Sequence, residues 1–464
     1  MTVTNRAMAD LCRTLLGDDP EIKKLSLGDY LGAIPRLESL ADVPRGTPVL
    51  VRGDVDAKPG EKIGEGDVRL RSMVATLEFG RQHGWKQVIF GHVGRKPEGS
   101  LKAVGKRLAE LLKCDLPLVA DWLDEGSMNV REAAVQAIAA APPGGFVLLE
   151  NTRKYDIERV LWKAKPQDAE QLAERLSRFA NEMAAKVARV YVNEALSAGS
   201  LDASTTVVPL AMDRVALGSY VAGEFDGPMR RCLESQLVVF SGLKTDKLDD
   251  LEAMIARGTI RWVFTAGSLA MALKKAAAEL DGTEFGLGIA ENPDHKDKPY
   301  YIARERVEQA KQMLADGREK GIRFVLPIDF VLQDGGTAER IGPNDQQFDI
   351  GPKTSDLFAS QVGAFIQEQP PAGQGAVAFH NGVFGMFEDP RFEDGTRKFI
   401  AQLKRMKDAG VEVYVGGGEG GAALERYGKP DWVTHCFTAG GTVLNALGSN
   451  PVPYLQTLRQ AARC

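Results

Sequence analysis

Cysteine is scarce in this chain: Cys12, Cys114, Cys232, Cys436 and Cys464 are the only five in 464 residues. They are scattered and none pairs at metal-ligand spacing. That argues against a zinc site or a disulfide framework and for reduced thiols in a cytoplasmic protein. Long apolar runs are missing as well. No stretch approaches the ~20 residues of a membrane span, and Met1 to Lys24 reads as polar and helix-forming rather than as an export signal. Positive charge is not in excess: 58 Lys and Arg stand against 63 Asp and Glu, for a net charge of −5. Nucleic-acid binding needs a basic face, so no nucleic acid is expected as a partner. A Gly-x4-Gly-Lys-Ser/Thr loop is absent, which removes the commonest ATPase fold. Histidine is rare, and His83, His295, His380 and His435 show no ligand spacing and receive no catalytic role. No internal repeat or low-complexity segment stands out.

What is present is an ordinary globular composition, 44% hydrophobic and 26% charged, in a chain too long for one core. Two domains are the leading expectation. Short apolar runs alternate with amphipathic segments. The first half predicts strands over Val49–Val55, Gln87–Val93, Gly145–Glu150 and Ala188–Asn193. The second half predicts Gln236–Phe240, Ile260–Thr265, Ile322–Ile328, Ala376–Phe379, Val411–Val415 and Trp432–Cys436. Between them Leu101, Val104, Leu108, Leu111 and Leu112 share one helical face. Such alternation predicts an α/β protein of doubly wound parallel sheets, divided near Asp213–Ser235.

In open α/β sheets ligands bind outside the carboxyl ends of strands. There the run Pro48-Val-Leu-Val-Arg52-Gly delivers Asp54 and Asp56, and Gln87-Val-Ile-Phe-Gly91 delivers His92 and Arg95. Asp67-Val-Arg69-Leu-Arg71 follows the first run, and Leu149-Glu-Asn-Thr-Arg153 closes a third. Arginines gathered in this way suit a small anion, because a guanidinium pairs bidentately with carboxylate or phosphate. Here the sequence resembles the phosphoglycerate kinase family, from about Leu25 to about Leu447.

The resemblance implies two domains separated by a cleft. An extension of residues 1–24 would precede an acid-binding domain of 25–214. A joining segment of 215–235 would lead into a nucleotide-binding domain of 236–447, and residues 448–464 would return to the first domain. It further implies that Arg69 braces the reacting carboxylate, that His92, Arg95 and Arg153 hold a substrate phosphate, and that Asp54 meets a substrate hydroxyl. Two departures fall in the same place. Asp56 stands where the family has asparagine, and Ser197-Ala-Gly-Ser-Leu201-Asp-Ala203 replaces a segment carrying an arginine, at Leu201. Arg52 or Arg71 could supply the missing cation from another direction. Altered acid specificity is therefore expected.

In the second half, Ser241-Gly-Leu-Lys244-Thr-Asp246-Lys247 resembles a family segment with one residue deleted. Lys244 and Lys247 are both candidates for charge on the phosphoryl group, with Lys247 favoured for the moving group. Gly267 matches a glycine beside the nucleotide base, Asn381 a residue along the phosphates, and Glu388 one that receives ribose hydroxyls. Gly417, Gly418, Glu419 and Gly420 match a glycine-rich phosphate loop, with Glu419 in place of the aspartate that holds magnesium. Gly440 and Gly441 would open a helix whose amide groups face the transferring phosphoryl oxygens. Ala439 precedes them where the family has glycine, a concern if that turn needs positive φ. The implied partners are an acid substrate and ATP or ADP with Mg2+, acting on a monomer. A catalytically weak nucleotide-binding relative is the alternative. Gly416-x-Gly418-x-x-Gly421 also fits the dinucleotide pattern, which leaves a nicotinamide-dependent oxidoreductase as a distant rival.

Overall fold

The computed structural model describes residues 2–17, 25–59, 66–243, 247–368, 375–448 and 451–463. The chain divides into two compact units, Met1–Asp226 with Asn450–Cys464, and Gly227–Ser449.

Six strands build the sheet of the first unit: β1 (Pro48–Gly53), β2 (Lys86–Phe90), β3 (Leu118–Val119), β4 (Phe146–Leu149), β5 (Val190–Glu194) and β6 (Arg214–Leu217). Their order is β3-β4-β2-β1-β5-β6, and every pair is parallel. Val49, Leu50 and Val51 are all fully buried, as an apolar strand covered on both faces must be. The helix Lys102–Leu112 lays Val104, Leu108 and Leu112 onto this core. Ser100 lies just before that helix and its hydroxyl accepts from the Lys102 amide.

The polar-looking amino terminus is part of this unit. Thr4 caps a helix over Asn5–Leu15, whose Met8, Leu11, Cys12 and Leu15 are buried at helical spacing and pack on the helix Ala169–Lys186. Near the other terminus, the helix Pro453–Ala461 also lies in this unit, with the Thr457 hydroxyl donating to the Thr206 carbonyl.

The second unit carries β7 (Leu237–Gly242), β8 (Trp262–Ala266), β9 (Arg323–Val325), β10 (Val377–Asn381), β11 (Glu412–Gly416) and β12 (His435–Cys436). Again all pairs are parallel, in the order β9-β8-β7-β10-β11-β12. Phe264, Phe358 and Phe399 pack edge-on and tilted in its core. The chain leaves β7 to one side of the sheet and returns through β10 on the other. The switch point therefore lies between the carboxyl ends of β7 and β10. In the first unit the corresponding reversal falls between β1 and β5.

The structure departs from expectation at several elements. The unit boundary at Asp226–Gly227 falls within the expected stretch 213–235, but β6 overlaps the start of the segment 215–235 expected to join the domains. Strand β3, two residues long, and an antiparallel three-stranded sheet of 330–332, 337–338 and 347–350 carried no periodic signal. No disulfide forms among the described cysteines. Among the described residues no helix is long and apolar enough to cross a membrane.

Candidate active site

In the first unit, Asp54, Asp56, His92 and Arg153 do come together at strand ends, but each is already engaged by other groups of the chain. Asp54 is fully buried, and both its oxygens accept from Ser197: the hydroxyl at 2.5 Å and the amide at 3.2 Å. Arg69 donates from Nη1 to the Asp56 carbonyl at 2.8 Å and to Asp56 Oδ2 at 3.1 Å. Asp56 Oδ1 also accepts the Gly94 amide. Burial would raise the Asp56 carboxyl, but that amide and the charges around it hold it below the usual range. Arg95 is exposed on the same loop.

Beneath this lies a buried set that sequence reading did not find, centred on Asp202. Its oxygens accept from Arg153 Nη2 at 3.0 and 3.3 Å and from the Trp162 indole at 2.9 Å. The Arg153 guanidinium also stacks 4.7 Å above the Trp162 ring. His92 Nδ1 is 3.3 Å from Asp202 and 2.7 Å from Arg52 Nη2. A guanidinium only donates, so Nδ1 is the acceptor and the imidazole is neutral, in line with the lowering of its pKa by burial. Burial opposes ionisation of Asp202, yet the guanidinium charges of Arg153 and Arg52 hold its carboxyl far below normal. Glu158, taking the hydroxyls of Ser204 and Thr152, is pushed up to about 7 by burial and by the Asp202 charge. Arg52 thus lies beside His92, while Arg71 is turned away onto Asp67 at 2.9 Å. The local signal for Asp202 was present, directly after Leu201, but a search for cations passed over it.

In the second unit, Lys247 opens the helix Lys247–Ala256 and its ammonium donates to the Ser241 carbonyl at 2.8 Å and to Asn381 Oδ1 at 3.1 Å. Those acceptors sit at the ends of β7 and β10, so the lysine marks the switch point. Lys244 lies outside the described residues. Asn381 also donates to the Gly416 carbonyl. Gly267 has φ +67°, and a Cβ there would fall 2.7 Å from the Gly242 carbonyl oxygen. This glycine starts the helix Gly267–Leu280, beside an open pocket of about 290 Å³ lined by Leu243, Met271, Leu287, Tyr300 and Ile302. Ser268, Gln346 and Gln347 line it too, and this mixed lining was not legible from spacing, since it comes from five separate segments.

The two glycine loops meet back to back. A Cβ on Gly440 would lie 2.7 Å from the Gly417 Cα, whereas Gly418 and Gly441 face open space. Gly417, at φ +95°, precedes the helix Gly418–Tyr427, and Ala439 precedes the helix Gly440–Leu447. Ala439 has φ −139°, ordinary extended backbone, which removes the concern about positive φ. Gly420 is buried, with room for a Cβ only 3.0 Å from Val415. Glu419 is exposed in the first turn of the helix Gly418–Tyr427, and Glu388 is exposed after β10. No cluster of three or more metal-type ligands exists among the described residues. A lone carboxylate fits Mg2+ borne by a nucleotide, because that ion keeps several waters and phosphate oxygens and takes few protein ligands. Behind the loop His380 is buried against Phe399, and burial, with the Lys247 charge, lowers its pKa to about 4.

Two doubly wound parallel sheets, each with polar side chains gathered at its strand ends, define a two-unit α/β protein. Residues 40–450 match the family model described as phosphoglycerate kinase, and the chain belongs to that family. The family is one of phosphotransferases with a carboxyl group as acceptor. Phosphoglycerate kinase of Clostridium botulinum (strain Alaska E43 / Type E3) is 29% identical over 432 residues, which are 89% of this chain and 96% of that protein. The cytosolic phosphoglycerate kinase of Triticum aestivum is 28% identical over 438 residues, 90% of this chain and 96% of that one. The solved phosphoglycerate kinase of Pyrococcus horikoshii OT3 shares the fold with a TM-score of 0.69 at 24% identity, over 93% of this chain and 100% of that chain. The oxidoreductase rival falls away, since its glycine pattern here follows the fifth strand of the sheet and not the first.

Proposed function

We propose that this protein transfers a phosphoryl group reversibly between ATP or ADP and a carboxylate, forming an acyl phosphate, as a cytoplasmic monomer. Lys247 at the switch point of the second sheet carries the reading: an ammonium fixed by Ser241 and Asn381 beside two glycine-opened helix N-termini. Phosphoryl transfer needs chiefly positioning and charge neutralisation. The base would enter the pocket beside Gly267. The phosphates would lie along Asn381, Gly417, Gly418 and Gly420, with the ribose at Glu388. Gly440 and Gly441 would present amide groups to the moving phosphoryl oxygens. Mg2+ bound with the nucleotide, held by Glu419, would neutralise phosphate charge.

In the forward direction a carboxylate oxygen of the acid forms a bond to the γ-phosphorus, the bond to the β–γ bridging oxygen breaks, and ADP leaves with that electron pair. Arg69 would orient the acid, with Asp54, Asp56, His92, Arg95 and Arg153 forming its surroundings. The test is acyl-phosphate formation from ATP and a panel of acids, trapped with hydroxylamine. Product with at least one acid supports the reading. ADP binding without turnover on any acid, in either direction, supports instead a nucleotide-binding relative, which the pairing of Arg69 with Asp56 and of Arg153 with Asp202 favours.

A further inference from the structure

Arg153 is a buried cation at the strand ends of the first unit, yet its main partner is a carboxylate of the chain itself. Asp202 is fully buried. Its carbonyl takes the hydroxyls of Thr205 and Thr206, at 3.0 and 2.8 Å, so the main chain is pinned at this point. Arg153 spends Nη2 on Asp202 and Nη1 on the Gly94 carbonyl, and its Nε is buried without an acceptor. One face of the guanidinium is covered by Trp162. An arriving anion would meet a cation already neutralised, with the negative charge of Asp202 beside it. With like charges so close in a buried setting, repulsion is strong enough to select against that ligand.

We infer that Asp202 is a specificity-determining residue, an internal anion seated on Arg153, and that the acceptor is a carboxylic acid bearing no phosphate at this end. The inference deepens the proposed function and rests on the first unit being the acid site. An arriving carboxylate would meet Arg95, exposed on the neighbouring loop, and Arg69, which is shared with Asp56. Arg52, the other guanidinium nearby, is already shared between Ser204, the Gly53 carbonyl and His92. Leu201 is then a consequence of the seat being filled: a cation beside it would have no ligand to serve.

Calorimetry on the full chain tests this with inorganic phosphate, 3-phosphoglycerate and unphosphorylated glycerate as probes, and with ADP and Mg2+ on the same samples. The wild type should show no saturable binding of inorganic phosphate or 3-phosphoglycerate at millimolar concentration. Asp202→Asn should gain at least tenfold for both phosphorylated probes, and phosphate should raise its melting temperature more than that of the wild type. Leu201→Arg, at a half-buried position, keeps Asp202 and should gain nothing. Tight 3-phosphoglycerate binding by the wild type, or a gain in Leu201→Arg alone, would overturn the assignment even if Asp202→Asn does not fold. Loss of ADP binding would instead strike the kinase reading, and the phosphate result would stand apart from it.

Discussion

Lys247 reaches two strand ends with one ammonium, which gives it a task that a surface lysine lacks. If that charge follows the moving phosphoryl group, Lys247→Ala should cut kcat by about 100-fold or more and leave ADP affinity nearly unchanged. Steady-state kinetics beside ADP calorimetry separates the two. A loss of affinity at unchanged kcat would assign the lysine to ground-state binding and turn attention to Lys244. Asp202 has a structural cost as well. Removing one partner of a buried, hydrogen-bonded ion pair typically costs ~3–5 kcal/mol, so Asp202→Ala should be destabilised by about that amount in urea unfolding. Glu194 gives a pH dependence. It is wholly buried, accepts from Thr76, Tyr220 and Val221, and is pushed from 4.5 to about 7 by burial. The folded state holds this proton more tightly than the unfolded chain. Its contribution to stability is therefore full below about 4.5 and is lost as pH rises toward 7, at most about 3 kcal/mol. Glu194→Gln should lose less stability than the wild type between pH 5 and pH 8. Parallel pH profiles of the two proteins would show that Glu194 is not the group responsible.

At the scale of elements, the two glycine-opened helices separate packing from ligand approach. Gly440 touches the Gly417 backbone, while Gly441 faces open space. Gly440→Ala should therefore force the loops apart and lower the melting temperature. Gly441→Ala should leave stability within about 1 kcal/mol, through the helix preference for alanine, yet weaken nucleotide binding by crowding the helix terminus. An equal effect of both on stability would mean that the two positions are not distinct. Glu419 belongs to the same loop and is exposed in the first turn of its helix. As the carboxylate of the glycine loop, Glu419 is the proposed ligand of a nucleotide-borne ion, so Glu419→Gln should raise the Mg2+ concentration needed for tight ADP binding. Unchanged Mg2+ dependence would remove it as the ligand.

At the scale of the molecule, both terminal helices count as part of the first unit. Met8, Leu11, Cys12 and Leu15 bury one face of the helix Asn5–Leu15. A buried leucine cut to alanine costs roughly 2–5 kcal/mol, so Leu11→Ala should destabilise the unit that contains it. Scanning calorimetry should then show the transition of the first unit at a lower temperature. Mg-ADP at a hundredfold excess over its Kd should stabilise the second unit by ~2.7 kcal/mol. A shift confined to the transition that Leu11→Ala lowers would place the nucleotide in the wrong unit.

Much of this was readable in one dimension. Each strand is a short apolar run, and each candidate residue follows its run by a few positions, so local pattern alone sets Asp54, His92, Arg153, Asn381 and Glu419 at strand or loop ends. Strand β3 and strand β6 escaped because two to four residues at a sheet margin carry no period to detect. Pairings between distant residues escaped for a different reason. Asp202 reaches Arg153 across 49 positions and His92 by way of a different strand, and Gly440 meets Gly417 between adjacent loops. Such contacts depend on strand order and register, which fix what lies beside what in space. Sequence determined which groups stand at the mouths of the two sheets; tertiary structure decided that Arg153, expected to hold a substrate anion, already pairs with Asp202.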